Sequence, residues 1–173
     1  MEHIQNNQRK RDALRKGSSY DKHGVAMYIR LGFMAIVMFW AMYFTMFAMI
    51  DRLENLIFNI NQLHMTLLMT AVMLLIELGI MQAMYPKRVI NLGIAMVTLA
   101  VGIFSWFGIR EQINVGDEQF IKGMIPHHAA AVLMSEKAKL TDPELIALQQ
   151  SILETQQREI ALMKRKLKAL KGK

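Results

Sequence analysis

The sequence contains no cysteine. That excludes disulfides, thiolate metal sites and lipidated cysteine, and it suits an oxidising compartment, where a free thiol would be at risk. Charge is missing from three long stretches. Residues 31–50 and 89–109 carry no acid or base, and 64–85 carry only Glu77. A helix of about 20 apolar residues crosses a bilayer, and lipid offers no partner for unpaired backbone groups. The three windows are therefore predicted transmembrane helices. A cleavable leader is not expected: the first thirty residues are polar and basic, and the apolar run after them is too long and lacks a small-residue cleavage site. The first window reads as a signal anchor. Aromatic residues do not interleave with the clusters Arg9-Lys10-Arg11, Arg15-Lys16 and Lys164-Arg165-Lys166. The net charge of +7 is accordingly not read as a nucleic-acid surface.

Topology accounts for the first of these clusters, because cytoplasmic loops are enriched in Lys and Arg. The segment before the first window carries Arg9, Lys10, Arg11, Arg15, Lys16, Lys22 and Arg30, and the second connection carries Lys87-Arg88. The first connection has only Arg52, against Asp51 and Glu54. This places the N-terminus in the cytoplasm and the C-terminal part outside, which for a bacterial inner membrane means the periplasm. The expected organisation is a basic N-terminal segment (1–30), a three-helix transmembrane domain (31–110) and an extracytoplasmic helical domain (111–173).

The C-terminal domain reads as two helices, at 117–140 and 141–170. Asp117 is the expected N-cap of the first, and Pro126 is expected to bend or break it. Thr141 and Glu144 have capping-box spacing for the second, with Pro143 in its first turn. So short a connection predicts an antiparallel hairpin. Its core is thin, so a second copy is expected to complete a four-helix bundle. The fold class is all-α.

On a 3.6-residue period, Phe120, Met124, His127, Ala131, Met134 and Ala138 form one stripe of the first outer helix, with His128 beside it. Leu145, Leu148, Ile152, Gln156, Glu159, Met163, Leu167 and Leu170 form the matching stripe of the second. An inward face carrying His, Met, Gln and Glu must pair its polar groups. Either Glu159 holds a histidine in a hydrogen-bonded core, or the face is a metal site. In the second case His127 is the leading ligand, His128, Met124, Met134 and Met163 are candidates, Glu159 orients a histidine or supplies counter-charge, and Gln156 supports from behind.

Methionine is concentrated in two of the three windows. Met34, Met38, Met42, Met46 and Met49 form a helical stripe in the first; Met65, Met69, Met73, Met81 and Met84 do so in the second, with Glu77 filling the gap. The third window holds only Met96, so a general use of Met as flexible filler does not account for the pattern. Thioethers are soft, uncharged ligands that suit Cu(I), and equally Ag(I). An acid inside a bilayer is costly and commonly marks an ion path. Gly93, Gly102 and Gly108 in the third window are expected to permit close helix packing.

The segment from Asp117 through Phe120, Met124, His127-His128 and Met134, followed by Gln156, Glu159 and Met163, resembles the family called domain of unknown function 305. The resemblance implies a ferritin-like helical fold, copper binding at the His-His region and, with Met-Tyr pairs such as Met42-Tyr43 and Met84-Tyr85, a membrane-anchored member. The expected function is membrane-anchored Cu(I) handling outside the cytoplasm by sequestration, transfer or resistance. It is non-enzymatic, with membrane lipid, a second copy, and a copper chaperone or exporter as partners. The alternatives are a structural or assembly subunit packed with Met, and a ferritin-like metal oxidase. The oxidase is disfavoured because no Glu stands three residues before either outer His.

Overall fold

A computed structural model describes the backbone of residues 2–172 and the side chains of residues 24–172. Helix α1 spans Glu2–Thr45, α2 Ile60–Ile80, α3 Arg88–Arg110, α4 Asp117–Lys137 and α5 Pro143–Lys171, with short 3₁₀ turns at Met46–Met49, Leu53–Asn55 and Gln82–Met84. No strand occurs among the described residues. Three stretches, Gly24–Met49, Ile60–Ile80 and Arg88–Arg110, are long and apolar enough to cross a membrane. Their outward faces are apolar, with Phe33, Ile36 and Trp40 exposed on α1 and Val97, Ile103 and Trp106 on α3.

The boundaries depart from expectation in α1 and α2: α1 ends at Thr45, so Met46 and Met49 lie in the 3₁₀ turn after it, and α2 starts at Ile60. The backbone of α1 runs unbroken from Glu2 through residue 30 into the first apolar stretch. Helix α2 stops at Ile80, so Met81 and Met84 lie beyond it rather than on its stripe. Gly79 weakens that last turn. Pro86 disfavours the helical region for Tyr85, which is extended (φ −109°, ψ 92°).

Helix α2 is the centre of the bundle. Against α3 it packs through small residues: Thr98, Gly102, Ser105 and Gly108 are the buried side of α3, and a methyl group at Gly102 would already touch Ala71 at 3.4 Å. Such faces let helix backbones approach closely where no hydrophobic drive exists between helices. On its other side α2 meets α1. Leu31, Leu78 and Tyr85 form a buried cluster there, with Met34, Leu74 and Met81 packed on it.

Helices α4 and α5 pack on each other around Ile125, Ala129, Val132, Ile160 and Leu167, and Ile50 and Ile57 of the first connection close the same core. Burial of a side chain such as Ile125 or Val132 stabilises by about 1.5–3 kcal/mol. The inward faces are therefore rotated from the expected stripes. On α4 the core takes Ile125, Ala129 and Val132, while Phe120, His127 and Met134 are exposed. On α5 Leu153, Ile160, Met163 and Leu167 turn inward, and Leu145, Leu148 and Leu170 do not. Helix α4 has two apolar faces about one residue apart, and the branched aliphatic one fills the core.

The caps differ as well. Gly116, not Asp117, is the N-cap of α4. Asp142, not Thr141, caps α5, accepting from the backbone N–H of Glu144 at 2.8 Å and of Leu145 at 3.1 Å. Helix α4 continues through Pro126; the proline removes one backbone N–H without ending the helix.

Candidate metal centre

Three polar contacts fix α4 over the end of the α1–α2 pair. The turn after α3 holds Gln112 and Asn114 in the left-handed region, at φ 49° and 60°, where non-glycine residues are uncommon. From there Gln112 Nε2 donates to the carbonyl of Ile109 at 2.7 Å, and Gln112 Oε1 accepts from Asn61 Nδ2 at 3.0 Å. The backbone N–H of Ile60 donates to Gln119 Oε1 at 3.2 Å. Asn59 caps α2, its Oδ1 accepting from Gln62 N at 2.9 Å, and Gln62 Nε2 donates to the carbonyl of Tyr43 at 2.8 Å. The last turn of α1, the first turn of α2 and the first turn of α4, with the turn before it, are thus tied together.

They border an open cavity of about 340 Å³. Its walls carry four thioethers, Met46, Met49, Met65 and Met124, and one imidazole, His127. Asn61, Gln62 and Gln112 supply neutral polar wall, and no carboxylate lines it. The Met46 sulfur accepts from the Thr66 hydroxyl at 3.6 Å. Four soft neutral donors and one imidazole suit a soft monovalent ion and suit hard cations poorly. Among the described residues, no group of three or more His, Asp or Glu side chains converges to hold a metal.

His128 stands apart from this cavity. Its Nδ1 lies 2.9 Å from the carbonyl of Met124, and its Nε2 lies 2.9 Å from Glu159 Oε2. Both ring nitrogens lie against oxygen atoms of Met124 and Glu159, and the ring does not border the cavity. Adjacent positions on one helix have separated the two histidines: His127 borders the cavity and His128 ties α4 to α5. Met134 is exposed two turns beyond His127. Met163 packs under α4 in the hydrophobic core, and Gln156 is half-buried on α5. None of these three borders the cavity.

The remaining methionines follow the α1–α2 contact. Met34, Met38 and Met42 are half-buried, while Met69 and Met73 on α2 are partly exposed. Met81 and Met34 each pack on the Leu31–Leu78–Tyr85 cluster, and Met84, beyond α2, is partly exposed. At that end Tyr85 donates its hydroxyl to Glu77 Oε1 at 3.1 Å. Burial first, and the Glu77 carboxylate second, push the Tyr85 hydroxyl up to about 12, so it stays a donor. Tyr28 stacks obliquely on Tyr85, with centroids 5.6 Å apart, and donates to Asn91 Oδ1 at 2.7 Å.

Sequence periodicity did not join Met46, Met49 and Met65 to Met124 and His127, because the two groups lie more than fifty residues apart. The polar residues at the helix ends, Asn59, Asn61, Gln62 and Gln112, were the available signal. His64 also went unmarked. It is buried between α2 and α3, edge-on to Phe104 at 5.6 Å, with neither ring nitrogen partnered.

Comparison with known proteins gives the same C-terminal segment a family. Residues 110–167 match the family described as "Domain of unknown function (DUF305)". The "Uncharacterized protein L153" of Acanthamoeba polyphaga mimivirus is 30% identical over 135 residues, which cover 75% of this chain and 78% of that one. No solved structure matches. The chain belongs to the domain of unknown function 305 family.

Proposed function

We propose that the protein is a membrane-anchored Cu(I)-binding protein that takes up the ion in the cavity bounded by Met46, Met49, Met65, Met124 and His127. The observation that carries this reading is the donor set itself: thioethers from three separate elements line one cavity with one imidazole, and no carboxylate lines it. Thioethers need no deprotonation and favour Cu(I), with Ag(I) as a close analogue. Copper is the cargo here, and the chemistry it meets is binding and hand-over.

The three apolar stretches anchor the chain in a membrane, and the positive charge before residue 31 and at Lys87-Arg88 supports an extracytoplasmic cavity. A bacterial inner membrane with the cavity facing the periplasm fits this arrangement. There a soluble copper chaperone or an exporter is the natural exchange partner. Helices α4 and α5 form half of a ferritin-like bundle that a second copy completes. Phe120, Met134, Leu145 and Leu148 support this, being large apolar side chains left exposed on the pair. Glu159 serves to hold His128 rather than to bind metal.

The test is a Cu(I) competition titration of the detergent-purified protein against a chelator of known affinity. His127→Ala and a Met46→Leu, Met65→Leu double variant are each expected to weaken binding by about tenfold or more, about 1.4 kcal/mol. His128→Ala is expected to change it far less, because that ring is already engaged. Unchanged affinity in both cavity variants would overturn the assignment.

A further inference from the structure

The cavity lies at one end of the α1–α2 contact, and the other end holds a second set of donors. Met34 and Met81 pack on the same buried cluster of Leu31, Leu78 and Tyr85. The Tyr85 hydroxyl holds one oxygen of Glu77 at 3.1 Å, which leaves the second oxygen of that carboxylate uncommitted by this bond. Glu77 lies on an apolar helix long enough to cross a membrane, where an acid is costly unless it has a task.

The antiparallel register connects the two ends. It is pinned at one end by the Thr66 hydroxyl on the Met46 sulfur and at the other by Leu31 against Leu78. One turn inward from Met46 this register brings Met42 level with Met69. The next turn brings Met38 level with Met73, and the next brings Met34 level with Glu77. Successive levels are about 6 Å apart, and the whole series covers about 18 Å at 1.5 Å per residue. Helix α3 offers no such series. Its only methionine, Met96, is exposed, and its contact with α2 is made by small residues.

We propose that the α1–α2 seam conducts a soft monovalent cation across the membrane, from the Met46–His127 cavity to an inner station built by Met34, Met81 and Glu77. This rests on the Cu(I) reading above and adds a direction of travel along the molecule. Thioethers are neutral, so the ion keeps its charge along the seam, and Glu77 supplies the counter-charge where it leaves. Similar weak ligands at each level let an ion enter without trapping it. No oxidation or reduction is involved.

The experiment uses full-length protein in liposomes with an entrapped Ag(I)-responsive indicator, since Ag(I) is soft, monovalent and not reduced or oxidised here. Ag(I) binding to the same preparations is titrated in parallel. Met42→Leu with Met69→Leu interrupts the middle of the seam at nearly constant volume, and Glu77→Gln removes the inner charge while keeping its shape. Both are expected to keep outer Ag(I) affinity and to lower influx by at least about tenfold. Wild type that binds Ag(I) but admits none overturns conduction and leaves the binding site standing. Wild type that binds none overturns the cavity reading itself. Both variants admitting Ag(I) at the wild-type rate overturns the seam as the route.

Discussion

Gly108 on α3 faces the His64 ring so closely that a single methyl group there should be measurable. A Cβ at Gly108 would lie 2.7 Å from His64 Cε1, 2.7 Å from Nδ1 and 2.8 Å from Nε2. Ordinary contact begins near 3.4 Å, so the ring or the helix must yield by more than half an ångström. The ring has little room to do so. His64 is only 4% exposed, lies edge-on to Phe104, and sits where α2 and α3 are held close by Gly102 against Ala71. Overpacking of this kind costs about 1–3 kcal/mol. The assay is equilibrium unfolding in detergent of wild type, Gly108→Ala, His64→Ala and the double variant. Gly108→Ala alone is expected to lose about 1–3 kcal/mol, and in the His64→Ala background to lose less than about 0.5 kcal/mol. That gives a coupling energy in the range typical of residues in contact. Equal losses in the two backgrounds would refute the close approach of α3 to α2 at this level.

Further outcomes test other parts of the structure. Asp142→Ala should destabilise α5 by about 0.5–2 kcal/mol, the usual value for a lost N-cap, while Thr141→Ala should be near neutral; thermal melts of the two variants decide between the caps. The Tyr85 hydroxyl is raised from the ordinary value to about 12 in the folded chain, so its contribution is complete below about pH 10 and is lost as pH rises toward 12. Unfolding midpoints should therefore fall over that alkaline window in wild type and fall less in Tyr85→Phe. Glu159→Gln should weaken the α4–α5 contact at His128 by about 1 kcal/mol and leave Cu(I) affinity unchanged, as measured by melting and by chelator competition on the same sample.

Much of the architecture was legible because its signals are local. Apolar runs of bilayer length, broken only by Glu77, locate the three membrane-length helices, and the third is read from the sequence to within a residue at each end. The starts of α4 and α5 follow from Asp117 and from Thr141 with Pro143 to within about two residues. The rotation of the α4 face was not legible. Met124 and His127 repeat with helical spacing as regularly as Ile125, Ala129 and Val132, and only the neighbours decide which set is covered. Those neighbours are Ile160 and Leu167 of α5 and Ile50 and Ile57 of the first connection. The same long-range packing takes His127 out of the core and sets it beside Met46, Met49 and Met65. A one-dimensional period carries no information about a meeting between elements separated by an entire helical pair. The small-residue face of α3 was legible at Gly102 and Gly108, whereas the buried His64 opposite them was not, because a lone histidine in an apolar run does not announce its partner.

The central claim is that thioethers from the 3₁₀ turn after α1, from α2 and from α4 share one soft ion with His127. X-ray absorption at the copper edge of the Cu(I)-loaded protein tests it most directly, because it reads the ligand atoms themselves. A first shell dominated by sulfur with a single nitrogen is the predicted result. That sulfur contribution should shrink when Met46, Met65 and Met124 are replaced by leucine, and the nitrogen should vanish in His127→Ala. A shell of nitrogen and oxygen alone, or a sulfur shell unchanged by those replacements, would contradict it.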